Sequence, residues 1–254
     1  MTLHRNAIGA LALAAVAAVA VPRPAAASKA DAFEGKIQPI SGQLYRKAGR
    51  LEATVGGDLS LNDAFFRKQF GDLKLGYHFT EWAAVSLHGA MGSSSPTKST
   101  TVCPTGGGCH SASDAELNQV PGRIRSMYGL ELAFSPVYGK LNTFSEKVGH
   151  IDLSLLVGID AIIHDEVLSS SDAALFAAKG MDPAQKTAVG GHLGLGFRLF
   201  LSEAFAVRFD LKDYVYGVTV PNGAAGLKSK DIQNQIFAEL GVSVFFPFTN
   251  RRQP

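Results

Sequence analysis

A histidine, two acids and three serines lie close together in one polar segment of this chain, as His164-Asp165-Glu166 and Ser169-Ser170-Ser171. A serine nucleophile needs a histidine base within hydrogen-bond reach and an acid that orients the imidazole. These residue types, and the pair His110-Ser111, could therefore support lipid hydrolysis or acyl transfer. Polar loops supply such residues by chance and neither segment has a distinctive spacing. We therefore predict no catalytic residue and keep a lipid-acting hydrolase or acyltransferase as a minor alternative.

The two cysteines, Cys103 and Cys109, flank a Pro-Thr-Gly-Gly-Gly segment and precede His110. In an oxidising compartment such a pair favours a disulfide that closes a small loop. Two free thiols or a metal site are the alternatives, but two cysteines and one histidine make an incomplete zinc set. The sequence thus predicts a disulfide, and it indicates no cofactor and no metal.

Eight segments alternate between apolar and polar residues, which places the two kinds of side chain on opposite faces of a β-strand. Each segment has about the 9–11 residues that a tilted strand needs to cross a bilayer. The predicted strands are 50–61, 70–79, 83–92, 123–134, 149–163, 188–201, 204–216 and 232–246. Short turns follow the second and sixth strands, and long loops at 93–122, 164–187 and 217–231 follow the third, fifth and seventh. That alternation of connection lengths is typical of a bacterial barrel, although segments 62–69 and 135–148 depart from it.

The polar face decides whether the apolar face points inward, as in a lipocalin, or outward into lipid. It carries charged residues and many glycines, and glycine on the surface of a soluble strand weakens the strand for no gain. In a narrow lumen, glycine instead makes room for long charged side chains. Aromatic residues near strand ends also fit an interfacial girdle: Tyr77, Phe79, Phe134, Phe205 and Phe246. We therefore predict an all-β fold, an eight-stranded antiparallel transmembrane β-barrel with up-and-down meander topology.

Charged residues on the inward face must pair, because an isolated buried charge is expensive. The hairpin at Ser202-Glu203 places Arg198 near Arg208, with Asp210 within diagonal reach. His78, His88 and His192 are expected to be hydrogen-bonded fillers of the lumen. The predicted luminal charge network comprises Arg50, Glu52, Asp58, Lys74, Arg123, Arg125, Glu131, Asp152, Asp160, Arg198, Arg208, Asp210, Lys212 and Glu239. Our hypothesis is that this network is structural and blocks conduction.

The N-terminus has the features of an export signal. Arg5 precedes an apolar run that Pro22 ends, and Ala25-Ala26-Ala27 offers a small-residue cleavage site. We predict a cleaved signal peptide at 1–27, a periplasmic segment at 28–49, the barrel at 50–248 and a short tail at 249–254. Removal of Arg5 and Arg23 takes 24 basic residues to 22, equal to the 22 acids. That neutral charge does not suggest nucleic acid as a partner.

Several short motifs resemble a myxobacterial-type outer-membrane β-barrel domain family. They are Phe33-Glu34-Gly35-Lys36-Ile37, Tyr138-Gly139-Lys140-Leu141 in a predicted turn, His150-Ile151-Asp152-Leu153 and Arg208-Phe209-Asp210-Leu211-Lys212-Asp213-Tyr214. The resemblance covers roughly residues 33–248 and implies a barrel in the outer membrane of a Gram-negative bacterium. It implies no activity and no catalytic residue.

These observations favour a structural or interaction role through extracellular loops and periplasmic turns. The expected partners are outer-membrane lipid, lipopolysaccharide and the barrel insertion machinery, with a periplasmic or envelope protein as a further candidate. A narrow pore or transporter is the main alternative.

Overall fold

The structure is a computed structural model that describes residues 45–103, 106–143, 147–222 and 227–248. The predicted signal peptide 1–27, most of segment 28–49 with its Phe33–Ile37 motif, and tail 249–254 lie outside the described residues. Within the described ranges, no helix combines the length and the apolar character needed to cross a membrane.

The described residues contain ten strands, and eight of them form one closed antiparallel barrel. In chain order they are β1 (Leu51–Ser60), β2 (Phe66–His78), β3 (Ala83–Pro96), β4 (Thr101–Val102), β5 (His110–Ser111), β6 (Ile124–Thr143), β7 (Lys147–Asp165), β8 (Gln185–Phe200), β9 (Phe205–Asn222) and β10 (Leu227–Phe246). The ring order is β1-β10-β9-β8-β7-β6-β3-β2, while β4 and β5 pair separately within a loop. The predicted eight-stranded antiparallel barrel is confirmed.

The apolar face of the strands points outward, which rules out the lipocalin-like alternative. Val55, Ile159 and Leu193 expose 65%, 65% and 66% of their surfaces, whereas the alternate positions on the same strands are buried. Because leaving so much apolar surface in water is unfavourable, this exterior suits the hydrocarbon layer of a bilayer.

The two ends of the barrel differ. At one end, here called the turn end, short connections such as Leu201–Ala204 join the strands; at the other, the loop end, lie the long connections. The outward aromatic residues predicted to form a girdle are all at the turn end: Tyr77, Phe79, Phe134, Phe205 and Phe246. Trp82 joins them, with its ring centroid 5.5 Å from that of Phe134. Such a belt is typical of a membrane–water interface.

Several strands are longer than the sequence predicted. The predicted loop at 217–231 is mainly hairpin, because the strand ladder between β9 and β10 continues to the pair Asn222 and Leu227. The predicted turn at 135–148 is likewise strand up to Thr143 and from Lys147, so the motif Tyr138–Leu141 lies on β6. Period-two alternation is visible only where the two faces of a strand differ in polarity. Beyond residue 216 the inward residue Val218 is apolar and buried, so the alternation ends although the strand pairing continues.

The long loops contain structure that the sequence analysis did not predict. Segment 164–187 contains an α-helix, α1 (Ser170–Lys179), which starts at the N-cap Ser169 and ends at Gly180 with a φ of 61°. Segment 93–122 contains the β4–β5 hairpin and a 3-10 helix at Glu116–Gln119. The two segments are joined, because the Leu168 amide donates to the Asn118 carbonyl at 2.9 Å. We call this joined assembly the loop cap.

One strand departs from the predicted facing at the loop end. The ladder between β6 and β7 shifts register between Ile124 and Ser126. As a result Ile124, predicted to face outward, is fully buried, while the Arg125 side chain remains 37% exposed. A β-bulge inserts one residue and so exchanges the faces on its two sides.

Candidate functional site

A network of ion pairs fills the middle of the lumen. Six predicted residues form this central network: Lys74, Glu131, Arg208, Asp210, Lys212 and Glu239. Glu131 is its hub, with Lys212 Nζ at 2.6 Å, Arg208 Nη2 at 3.0 Å and Lys74 Nζ at 3.4 Å. Asp210 accepts from Arg208 Nε at 2.7 Å and from Lys74 Nζ at 3.0 Å. Three cations thus meet three anions, so the six charges cancel within the buried layer.

A second network lies nearer the turn end. Arg198 donates to Glu52 Oε2 at 2.8 Å and to Asp152 Oδ2 at 2.6 Å, and His78 Nε2 lies 2.7 Å from Glu52 Oε2. Arg198 and Arg208 are register partners, as the hairpin predicted, but Asp210 pairs with Arg208 instead of Arg198. Lys47 completes this network by contacting Asp152 at 2.5 Å. Sequence reasoning missed Lys47, because it precedes the strand and periodicity carries no information there.

Arg50 is buried, as predicted, but it binds backbone carbonyl groups where acidic side chains were expected. Its guanidinium donates to the backbone carbonyls of Glu203 at 2.8 Å and Pro247 at 2.6 Å. Arg50 thereby ties the start of β1 to the turn after β8 and to the segment after β10.

His88 and His192 lie beside the central network. Their imidazoles contact the two oxygens of Asp160, with His88 Nε2 at 2.9 Å and His192 Nδ1 at 2.7 Å. The second ring nitrogen of His192 lies 3.3 Å from Glu131 Oε2. These three side chains have the residue types and the proximity of a metal site. In the structure, however, Asp160 occupies the nitrogens that would face an ion.

Inward-facing glycines give these groups their space. A Cβ added to Gly129 would lie 2.2 Å from Asp160 Oδ1 and 2.7 Å from His88 Nε2. A Cβ on Gly158 would lie 2.3 Å from His192 Cε1. The predicted role of luminal glycine therefore has a steric basis at these two positions.

The remaining predicted acid, Asp58, stands apart from the ion pairs. It lies beside Asp72 and Glu239, and one ligand oxygen from each of the three lies within 4.8 Å of the others. Asp72 is on the inward face of β2 and is buried, but it is absent from the predicted network. Its position two residues before Lys74 gives the same inward parity and could have identified it.

Apolar and rim groups close the lumen toward the loop end. Above the central network an apolar layer contains Phe70, Met127, Ile162, Tyr214 and Phe237, each at most 5% exposed. At the rim, Arg125 Nη2 pairs with Asp165 at 2.8 Å, while Arg123 pairs with Asp114. The prediction that Arg125 belongs to the luminal network is therefore wrong, because its side chain lies at the rim of the barrel. It is a rim residue because of the bulge beside it.

A cavity of about 1180 Å³ lies between α1 and the barrel rim. His164 and Ser169 both line it, but the Ser169 hydroxyl donates to Asp172 Oδ2 at 2.7 Å and also caps α1. His164 Nδ1 donates to the carbonyl of Asp165 at 2.9 Å. His164 and Ser169 thus line the same cavity, but no serine–histidine hydrogen bond forms among the residues that the structure describes.

The cysteine pair and its neighbours belong to the loop cap. Cys103 and Cys109 form a disulfide, so the alternatives of free thiols and a metal site do not apply. His110 Nε2 lies 2.9 Å from Glu116 Oε1, and the Ser113 hydroxyl donates to Glu116 Oε2 at 2.6 Å. Hydrogen bonds from Ser113 and His110 lower the pKa of Glu116 to about 2, and the hydrogen bond to Glu116 raises the pKa of His110.

Comparison with known proteins identifies neither a family nor a close relative. No family model matches the chain, and no curated protein matches it. Among solved structures, the outer membrane protein OprG from Pseudomonas aeruginosa shares 17% identity, with a TM-score of 0.44, over 79% of this chain and 97% of that chain. The N-terminal β-barrel domain of Pseudomonas aeruginosa OprF shares 13% identity, with a TM-score of 0.43, over 78% and 98%. The outer membrane protein AlkL shares 13% identity, with a TM-score of 0.38, over 86% and 99%.

Proposed function

We propose that this protein is a non-conducting barrel of a Gram-negative outer membrane that displays its loop cap as an interaction surface. The observation that carries the proposal is the central network, whose hub Glu131 is fully buried among three cations from two strands, Lys74 on β2 and Arg208 and Lys212 on β9. In a barrel of eight strands, side chains fill the interior. Ion pairs at this depth and the apolar layer above them leave the lumen packed, so the parts free to act are the two ends.

The loop cap has the order that an interaction surface requires. The Cys103–Cys109 disulfide, the capped helix α1 and the hydrogen bond from Ser170 Oγ to Gln119 Oε1 (2.9 Å) hold it together. A rigid surface loses less conformational entropy when a partner binds than a flexible one does. Outward basic residues at the loop end, Arg67 and Lys230, would face anionic lipopolysaccharide head groups.

Conductance measurements test the non-conducting part of the proposal. Purified protein in planar bilayers should give no steady current of porin size. The same preparation should show heat-modifiable gel migration, which establishes that the barrel is folded. A steady current, or swelling of liposomes in small sugars, would establish the narrow pore instead.

Protease accessibility on whole cells tests the orientation. Cleavage within the loop cap of intact cells, with the turn end cut after lysis, is the expected result. A change in lipid profile that is lost in His164→Ala would instead support the lipid-acting enzyme.

A further inference from the structure

Asp58, Asp72 and Glu239 form a group of carboxylates on three neighbouring strands, β1, β2 and β10. Asp58 is the register partner of Glu239, and Asp72 is the partner of Gly56, two residues before Asp58 on β1. All three side chains point into the lumen and are buried, with Asp58 only 2% exposed. Neighbouring carboxylates repel each other, so such a group needs compensation.

The charges around this group do not supply that compensation. Glu239 is paired with Lys212 at 2.8 Å and with Lys74 at 3.5 Å, and both lysines belong to the balanced central network. Among the described residues, no cationic nitrogen lies within ion-pair distance of Asp58 or Asp72. When both acids are ionised, two negative charges are thus left over in a buried layer, which is costly unless the acids take up protons or a cation binds.

The Asp58 carboxylate also lacks hydrogen-bond partners. Neither of its oxygens accepts a hydrogen bond from any part of the chain that the structure describes. Asp58, Asp72 and Glu239 line a cavity of about 10 Å³. Asp210, Lys74 and Arg208 line it too, but these three are paired with one another in the central network. That volume is roughly one water-sized sphere. One water molecule or a single ion fits such a space, whereas an organic ligand does not.

We propose that Asp58, Asp72 and Glu239 bind one hard divalent cation of the Ca²⁺ type inside the barrel. Ca²⁺ takes carboxylate oxygens at about 2.3–2.6 Å, so two ligand oxygens on one ion lie up to about 5 Å apart. The 4.8 Å limit on the three ligand oxygens satisfies this condition. All-oxygen ligation excludes a preference for soft metals. One divalent charge cancels the two negative charges that the central network leaves over.

Metal content and stability of the full-length protein test the proposal. The protein is refolded in detergent with CaCl₂ or with EDTA, desalted, and its calcium is measured by mass spectrometry. About one Ca²⁺ per chain is expected after refolding with CaCl₂. Free Ca²⁺ at a hundredfold excess over Kd should raise the folding equilibrium constant about 100-fold, seen as a higher urea midpoint than in EDTA.

Asp58→Asn and Asp72→Asn are the test variants, because an amide keeps the shape of the carboxylate and removes its charge. Both should lose the bound Ca²⁺ and the difference between CaCl₂ and EDTA, while Asp231→Asn, at an exposed site on β10, should keep both. A wild-type protein that retains no calcium and has one urea midpoint in both conditions overturns the proposal. So does a Ca²⁺ response that survives in both variants. If neither variant folds, the wild-type calcium content and midpoints decide.

Discussion

Glu131 on β6 and Lys212 on β9 form a fully buried ion pair across the lumen, with 2.6 Å between Oε2 and Nζ. Two other barrel strands, β7 and β8, separate these strands on the shorter path around the ring. The pair therefore joins parts of the wall that share no strand ladder. It connects separate parts of the barrel wall across the lumen, and its contribution to the free energy of unfolding can be measured.

Glu131→Gln should destabilise the barrel by about 3–5 kcal/mol, since three cations lose their common anion while they remain buried. Equilibrium unfolding in urea, in detergent or liposomes, measures the loss. Glu166→Gln is the control, because Glu166 pairs with Lys186 at 3.7 Å at the exposed loop end. That surface pair should be worth at most about 1 kcal/mol. Equal losses in the two variants would mean that the central network contributes little.

Gly129→Ala should cost about 1–3 kcal/mol, because its methyl group would overlap Asp160 and His88 and force them apart. Gly217→Ala on β9 is the matched control, since its added Cβ would meet nothing within 4 Å. The comparison of the two urea midpoints isolates the steric effect from the general cost of changing a glycine in a strand. A Gly129→Ala midpoint equal to that of the control contradicts the role assigned to this glycine.

Leu195→Arg should cost about 2–4 kcal/mol when the barrel is in a bilayer, because the outward face near mid-strand lies in hydrocarbon. Leu195 is 60% exposed on β8, and Leu227 is 64% exposed at the loop end of β10. Leu227→Arg should therefore be close to neutral, although the two leucines are equally exposed. Unfolding from liposomes gives both values. An equally small loss of unfolding free energy in both variants would argue against a membrane location of the outward apolar face around Leu195.

The His110–Glu116 contact should make the order of the loop cap depend on pH. The raised pKa of His110 means that its contribution is complete below about 6.5 and is lost as the pH rises through the raised value. The lowered pKa of Glu116 means that its contribution is complete above about 4.5 and is lost as the pH falls toward 2. The loop cap should thus be most ordered between these limits. NMR titration of His110 checks this, and its pKa should fall toward the ordinary value in Glu116→Gln.

Alternation predicted the strand faces because each strand turns one face to the apolar exterior and the other to the charged lumen. Leu73, Leu75 and Tyr77 face outward, and Lys74 and His78 face inward, as the period of two requires. The pattern was wrong at Ile124 and Arg125, where the bulge exchanges the faces. It also underestimated the length of β9 and β10, because Val218 on the inward face of β9 is apolar and the two faces no longer differ there.

The sequence by itself determined the class of fold, the number of barrel strands and most of the luminal charges, because burial selects residue type at every second position. The tertiary structure decided which charges meet. Lys47 with Asp152, Lys212 with Glu131, and Asp58 beside Asp72 depend on the register around a closed ring. Closure brings strands distant in sequence within a few ångströms across the lumen, and no local pattern encodes those distances. Charge balance could be counted from the residues, but the position of the uncompensated acids could not.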